Sequence, residues 1–121
     1  MKLLLLAALL PFSAHASLPV LNCHNGATGA EVTVGYYADH SYMLMNSTLK
    51  DVLERQGARD LDATGGDGAV IRHEGHNVTF TSMLRDGGTL TIAREDGGYR
   101  LRVVQPKVEA NFYFNNGDCR D

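Results

Sequence analysis

The chain has 121 residues and a formal charge of −3, with five histidines and two cysteines. This mild acidity, with no basic stripe to release counterions, argues against a nucleic acid as partner. Its first sixteen residues differ in character from everything that follows.

Met1 and Lys2 precede an unbroken apolar run from Leu3 to Leu10, followed by Pro11, Phe12, Ser13 and Ala14-His15-Ala16. One positive charge, a short apolar stretch and a small-x-small triplet are the three parts of a secretory signal peptide. A membrane-spanning helix needs about 20 apolar residues, and polar residues already appear by Ser13. Cleavage is expected after Ala16, leaving about 105 residues, enough for one domain. Cys23 follows Asn22, a poor residue before a lipidation cut. The sequence therefore predicts a leader over 1–16 and a single domain over 17–121, exported to the periplasm or beyond. That domain is expected to be soluble, with neither a lipid anchor nor a membrane span.

Past the leader the dominant pattern is alternation of period two, the mark of half-buried strands. Val32, Val34 and Tyr36 alternate with Thr33 and Gly35. The segment from Ser47 to Gly57 breaks the pattern, placing Leu49, Val52 and Leu53 at helical spacing. Asn46 or Ser47 can cap its start and Gly57 its end. It is read as a short helix, with a strand at 48–56 as the alternative. The Gly- and Asp-rich stretch from Asp60 to Gly68 reads as an exposed loop.

From Ala69 to Gln105 four hairpin-linked strands are expected, and the alternation returns in three runs. Val78 and Phe80 form one, Leu90 and Ile92 another, and Tyr99, Leu101 and Val103 a third with an arginine-bearing outer face. Glu74-Gly75-His76, Asp86-Gly87-Gly88 and Asp96-Gly97-Gly98 stand between the runs, and such pairs favour tight hairpins. Pro106 ends this ladder for want of an N–H, and Phe112 and Phe114 flank Tyr113 in a further strand. Turns at about ten-residue spacing predict an all-β fold. The expected form is a small antiparallel meander or closed barrel of about eight strands, with one short helix. Neighbouring rings at Tyr36-Tyr37 and Phe112-Tyr113-Phe114 must point to opposite faces, so some face a partner, a cross-strand neighbour or a loop.

Cys23 and Cys119 lie near the two ends of the expected domain. An even cysteine count in an exported chain reads as a disulfide, with free thiols and an intermolecular bridge as the alternatives. Closing a loop of about 100 residues is worth roughly 4 to 5 kcal/mol in the chain-entropy account.

Groups able to do chemistry are sparse. His73, Glu74 and His76 stand within four residues and include two imidazoles that suit a divalent metal. They straddle a predicted β-turn rather than sharing a helix face, so a solvated turn is the plainer reading; His24 and His40 are far away in sequence. Acidic pairs at Asp60 and Asp62 and at Glu95 and Asp96 fall in loops and turns. Gly65-Gly66-Asp67-Gly68 lacks the lysine and helix of a phosphate loop, and no glycine-flanked serine marks a nucleophile elbow. No cofactor and no enzymatic activity are expected. Asn46-Ser47-Thr48 and Asn77-Val78-Thr79 match the glycosylation acceptor pattern and are left unassigned.

The leader, the early Cys23-His24-Asn25-Gly26, the alternating run from Val32 to Tyr37, the turn near Gly68 and the late Cys119 form an outline. It resembles the bacterial periplasmic and membrane-bound inhibitors of C-type lysozyme, exported antiparallel barrels of eight strands. The resemblance implies a non-enzymatic inhibitor of the bacterial envelope whose partner is a lysozyme-like protein. It also implies an inhibitory loop at Asp67-Gly68-Ala69-Val70-Ile71. There the family reads Ser-Gly-x-x-Tyr; Gly68 and Ala69 fit, and Asp67 and Ile71 replace the serine and the tyrosine. Phe80-Thr81-Ser82-Met83 keeps a family aromatic without its following lysine and glycine. A fold carries over more readily than a function. The expectation is thus a binding or inhibitory protein with its contact edge around Asp60 to Gly68. The competing expectations are a metal-handling protein using His73, Glu74 and His76, and a divergent secreted hydrolase.

Overall fold

The computed structural model describes residues 18–38, 40–61, 69–75 and 77–121. The expected leader lies outside the described residues, as do Asp62 to Gly68 and His76. Among the described residues, no helix is long and apolar enough to cross a membrane.

Among the described residues, nine strands and one α-helix follow in chain order: β1 (Leu18–His24), β2 (Glu31–Tyr36), β3 (Ser41–Met45), α1 (Ser47–Arg55), β4 (Val70–Glu74), β5 (Asn77–Met83), β6 (Thr89–Glu95), β7 (Gly98–Gln105), β8 (Val108–Phe114) and β9 (Cys119–Arg120). All pairings are antiparallel and form two sheets, ordered β3-β2-β1-β9 and β4-β5-β6-β7-β8. The predicted antiparallel meander, short helix and disulfide are therefore present.

The sheets are not closed into a barrel. Closure would require β3 to pair with β4 and β8 with β9. Instead, a side-chain bond from Ser41 Oγ to Ala69 O (3.0 Å) links the start of β3 to the residue before β4. At the other edge, the Gln56 side chain accepts from Asn111 N and donates to Asn111 O, both at 2.9 Å. One amide thus takes the place of a neighbouring strand on β8, and β9 pairs with β1 instead.

The predicted turn chemistry accounts for the second sheet. Asp96 and Gly97 both have positive φ, 49° and 81°, the geometry of a two-residue hairpin whose twist matches its strands. Gly98 begins β7 against the Phe114 carbonyl oxygen, where any Cβ would collide with backbone. Alternation then sends Tyr99, Leu101 and Val103 inward, with Arg100 and Arg102 outward. Tyr99 carries its polar handle inward, and its hydroxyl accepts from Val78 N at 3.1 Å.

The helix forms where its apolar spacing predicts. Asn46 caps it by accepting from Leu49 N at 3.0 Å. The same oxygen accepts from Glu31 N, and the Asn46 amide donates to Gly29 O at 2.7 Å. One side chain therefore joins the helix start to β2 and to the β1–β2 turn. Leu49 and Leu53 are fully buried, so docking of this face holds a helix too short to persist alone. Gly57 ends it at φ 105°. The inner faces of both sheets and this helix share one core, including Leu21, Val34, Phe80, Ile92, Leu101 and Phe114.

Cys23 and Cys119 form the predicted disulfide across 96 residues of sequence. They are directly opposed in the β1–β9 ladder, with Cα atoms 4.0 Å apart. Such close approach belongs to the non-hydrogen-bonded pairs of an antiparallel ladder. Asn25 Nδ2 donates to Asp118 Oδ2 (3.1 Å) and so holds the turn before β9.

Outside the core, Asn22 donates to Glu31 Oε2 and to Thr33 Oγ1, both at 2.9 Å. The Asn22 bond is the main cause holding the Glu31 carboxyl below its ordinary pKa; the hydrogen bond and charge of His24, 3.4 Å away, assist. Partial burial works in the opposite direction. A carboxylate with a depressed folded pKa contributes stability above its ordinary pKa and loses it as the pH falls through the folded value. Glu31→Gln is therefore expected to be less stable than the parent at neutral pH, by less than about 1 kcal/mol because the group is substantially exposed. The difference should close on acidification only once the pH has fallen below the ordinary carboxylate range and through the depressed folded value, where the parent carboxyl is itself protonated. Urea unfolding at stepped pH checks this; a constant gap down to pH 2 would contradict it.

Candidate functional site

Of the predicted contact residues, Asp67 and Gly68 lie outside the described residues and Ala69 lies within them. Ala69 is half-buried against the core, and its carbonyl is the acceptor of the Ser41 hydroxyl. The stretch 62–68 is thus bracketed by Leu61, which is buried in the core, and by Ala69 at the β3–β4 junction.

That junction is open. Tyr36, Tyr37, Ala38, His40, Ser41, Ala69, Val70 and Ile71 line a surface depression of about 400 Å³. Tyr37 and Val70 expose 41% and 50% of their surface there. Tyr37 is held by its neighbours, since its ring packs on those of Tyr42 (4.7 Å) and His40 (5.2 Å), and Tyr37 N donates to His40 O at 2.8 Å. Tyr42 in turn lies flat on the sheet because Gly35 opposes it; a Cβ at Gly35 would stand 2.6 Å from the Tyr42 hydroxyl. The result is a small, supported aromatic platform next to an exposed valine.

Of the predicted histidine turn, His73 and Glu74 are described and His76 lies outside the described residues. His73 is opposite Val78 and Glu74 is opposite Asn77, so strand alternation puts them on opposite faces of β4. His73 lines a separate depression of about 340 Å³ with Pro19, Val20, Gly75, Val78 and Asp121. Among the described residues, no three His, Cys, Asp or Glu side chains are grouped to hold a metal ion.

The acidic pair at Glu95 and Asp96 has structural work. Glu95 Oε2 accepts from Arg100 Nε at 2.9 Å. The Tyr113 hydroxyl lies 3.0 Å from Glu95 O and 2.9 Å from Asp96 O. Tyr113 is thus the outward ring of its aromatic triplet and it covers a turn, with the Arg100 guanidinium 5.3 Å from its centroid. Phe112 and Phe114 share the other face, 4.8 Å apart.

Sequence reading missed strands β1, β3 and β9. Tyr42, Met43, Leu44 and Met45 show no alternation because Tyr42 and Met43 are buried on opposite faces of the sheet. The signal that could have found β3 is the β-rich run between His40 and the Asn46 cap. Compared with protein-family models, with curated proteins and with solved structures, the chain matches none.

Proposed function

We propose that this chain is an exported, non-enzymatic protein of the bacterial envelope that binds another protein and inhibits it by occupying its surface. The observation that carries this reading is the β3–β4 junction. A braced tyrosine and an exposed valine flank an open depression there, next to the stretch that the lysozyme-inhibitor resemblance marks as inhibitory. Aromatic anchors of restricted mobility bind with little loss of side-chain entropy, which is why they recur at the centres of protein interfaces. The disulfide fits export, because such bonds persist in oxidising compartments. The partner is a lysozyme-like enzyme.

The test is a lytic assay with a C-type lysozyme, using protein that starts at residue 17. Inhibition predicts a lytic rate that falls in proportion to added protein, and Tyr37→Ala should weaken the effect about ten-fold or more, as loss of a hot-spot aromatic does. An unchanged rate at large molar excess would remove lysozyme as the partner. Turnover in a broad hydrolase substrate screen would remove the non-enzymatic reading itself.

A further inference from the structure

The two outer edges of the five-stranded sheet are treated differently. On β8, the Gln56 amide satisfies both the N–H and the C=O of Asn111. On β4, pairing occurs on one side alone, with β5. Among the described residues, nothing hydrogen-bonds to the free edge of Val70 to Glu74; the Ser41 hydroxyl stops one residue short, at Ala69. Four of the five β4 side chains are exposed and Ile71 is half-buried. A bare edge of this kind is a template for another strand.

Charge decides which strand fits. Two copies of β4 meeting antiparallel over their full length would set Arg72 directly opposite the second Arg72, and like charges in that position are destabilising. Shifting the register by two residues sets each Arg72 opposite the other copy's Glu74 but leaves three residues paired. Arg72 is exposed and has no carboxylate partner among the described residues. It borders a groove of about 460 Å³ on the outer face of the sheet, lined by Val70, Arg72, Thr79 and Thr81.

We propose that β4 accepts an extended segment of a partner protein as a sixth, antiparallel strand, with an acidic side chain opposite Arg72 and an apolar one opposite Val70. The same arginine disfavours self-pairing over the full length of β4, which a foreign strand can match. This inference rests on the binding reading above and names the recognition mode. Antiparallel addition matches the pairings of both sheets and is slightly stronger per residue than parallel.

The probe is a blocked synthetic peptide, Ser-Lys-Thr-Glu-Val-Val-Ser, whose Glu faces Arg72 and whose second Val faces Val70 when antiparallel. It is titrated into the intact disulfide-bonded protein and followed by amide NMR and hydrogen exchange. The expected result is slowed exchange at residues 70–74 and a gain in affinity that follows charge. Replacing the peptide Glu by Lys should weaken binding about five- to thirty-fold, and Arg72→Glu should reverse that preference. N-methylation of alternate peptide residues should abolish binding for the set facing β4 and spare it for the other set. No protection at 70–74 at millimolar peptide, indifference to the charge reversal, or protection by self-association instead would each overturn the proposal. Lysozyme inhibition that persists after such a failure would leave the binding reading standing on another surface. Peptide addition without inhibition would remove lysozyme and keep the strand site.

Discussion

Alanine at both Cys23 and Cys119 is expected to lower stability by about 4 to 5 kcal/mol, because the bridge closes nearly the whole domain in the unfolded chain. For a domain of about 100 residues this corresponds to a fall in Tm of roughly 15 to 35 °C. That is a large share of what a small domain has. The loss should not be uniform. Strand β9 has two residues and pairs with β1 through Asn22 and Cys23. Without the bridge it keeps that short ladder and the Asn25–Asp118 bond, so the C-terminus should exchange its amides first. The measurement is thermal and denaturant unfolding of the parent, the reduced parent and the double alanine variant. Equal midpoints with and without reductant would show that the bridge does not hold the fold.

Phe80→Ala is expected to cost about 3 to 5 kcal/mol, the usual range for removing a fully buried ring. Phe80 is completely buried in β5, with Ile71 of β4 opposite it on one side and Ile92 of β6 on the other. Ile71 and the preceding Ala69 are the residues by which β4 and its approach pack on the core. The variant should therefore loosen β4 more than β6, which has Leu90 and Ile92 buried of its own. Hydrogen exchange resolves the two effects: amides at 71–74 should approach free exchange while those of β6 and β7 follow global stability. Uniform loss across the sheet would contradict this account. A strand that accepts a partner must itself be fixed, so peptide addition at β4 should weaken in the same variant.

Much of this molecule was legible from local pattern. The hairpins at Asp86-Gly87 and Asp96-Gly97, the strands they join, the helix between Asn46 and Gly57 and the disulfide each depend on residues close in sequence or on a two-member choice. Alternation of period two and positive φ at Asp-Gly are properties of a few neighbouring residues, so they survive without knowledge of the fold. Strand β3 was lost because burial of Tyr42 and Met43 on opposite faces erases the alternation.

Tertiary structure alone decided how the sheet edges end. A meander of this rhythm is compatible with a closed barrel, and closure depends on which groups reach the terminal strands from afar. Gln56 meets Asn111 across 55 residues, and Ser41 meets Ala69 across 28. Those long-range bonds stand where strand pairing would close the sheets, and among the described residues the outer edge of β4 takes no backbone hydrogen bond. The placement of Tyr37 against Tyr42 over Gly35 follows from register. The sequence by itself determined β2, the strands of the second sheet, the helix and the turns between them, because that information is local. The site arises from packing between segments distant in the chain.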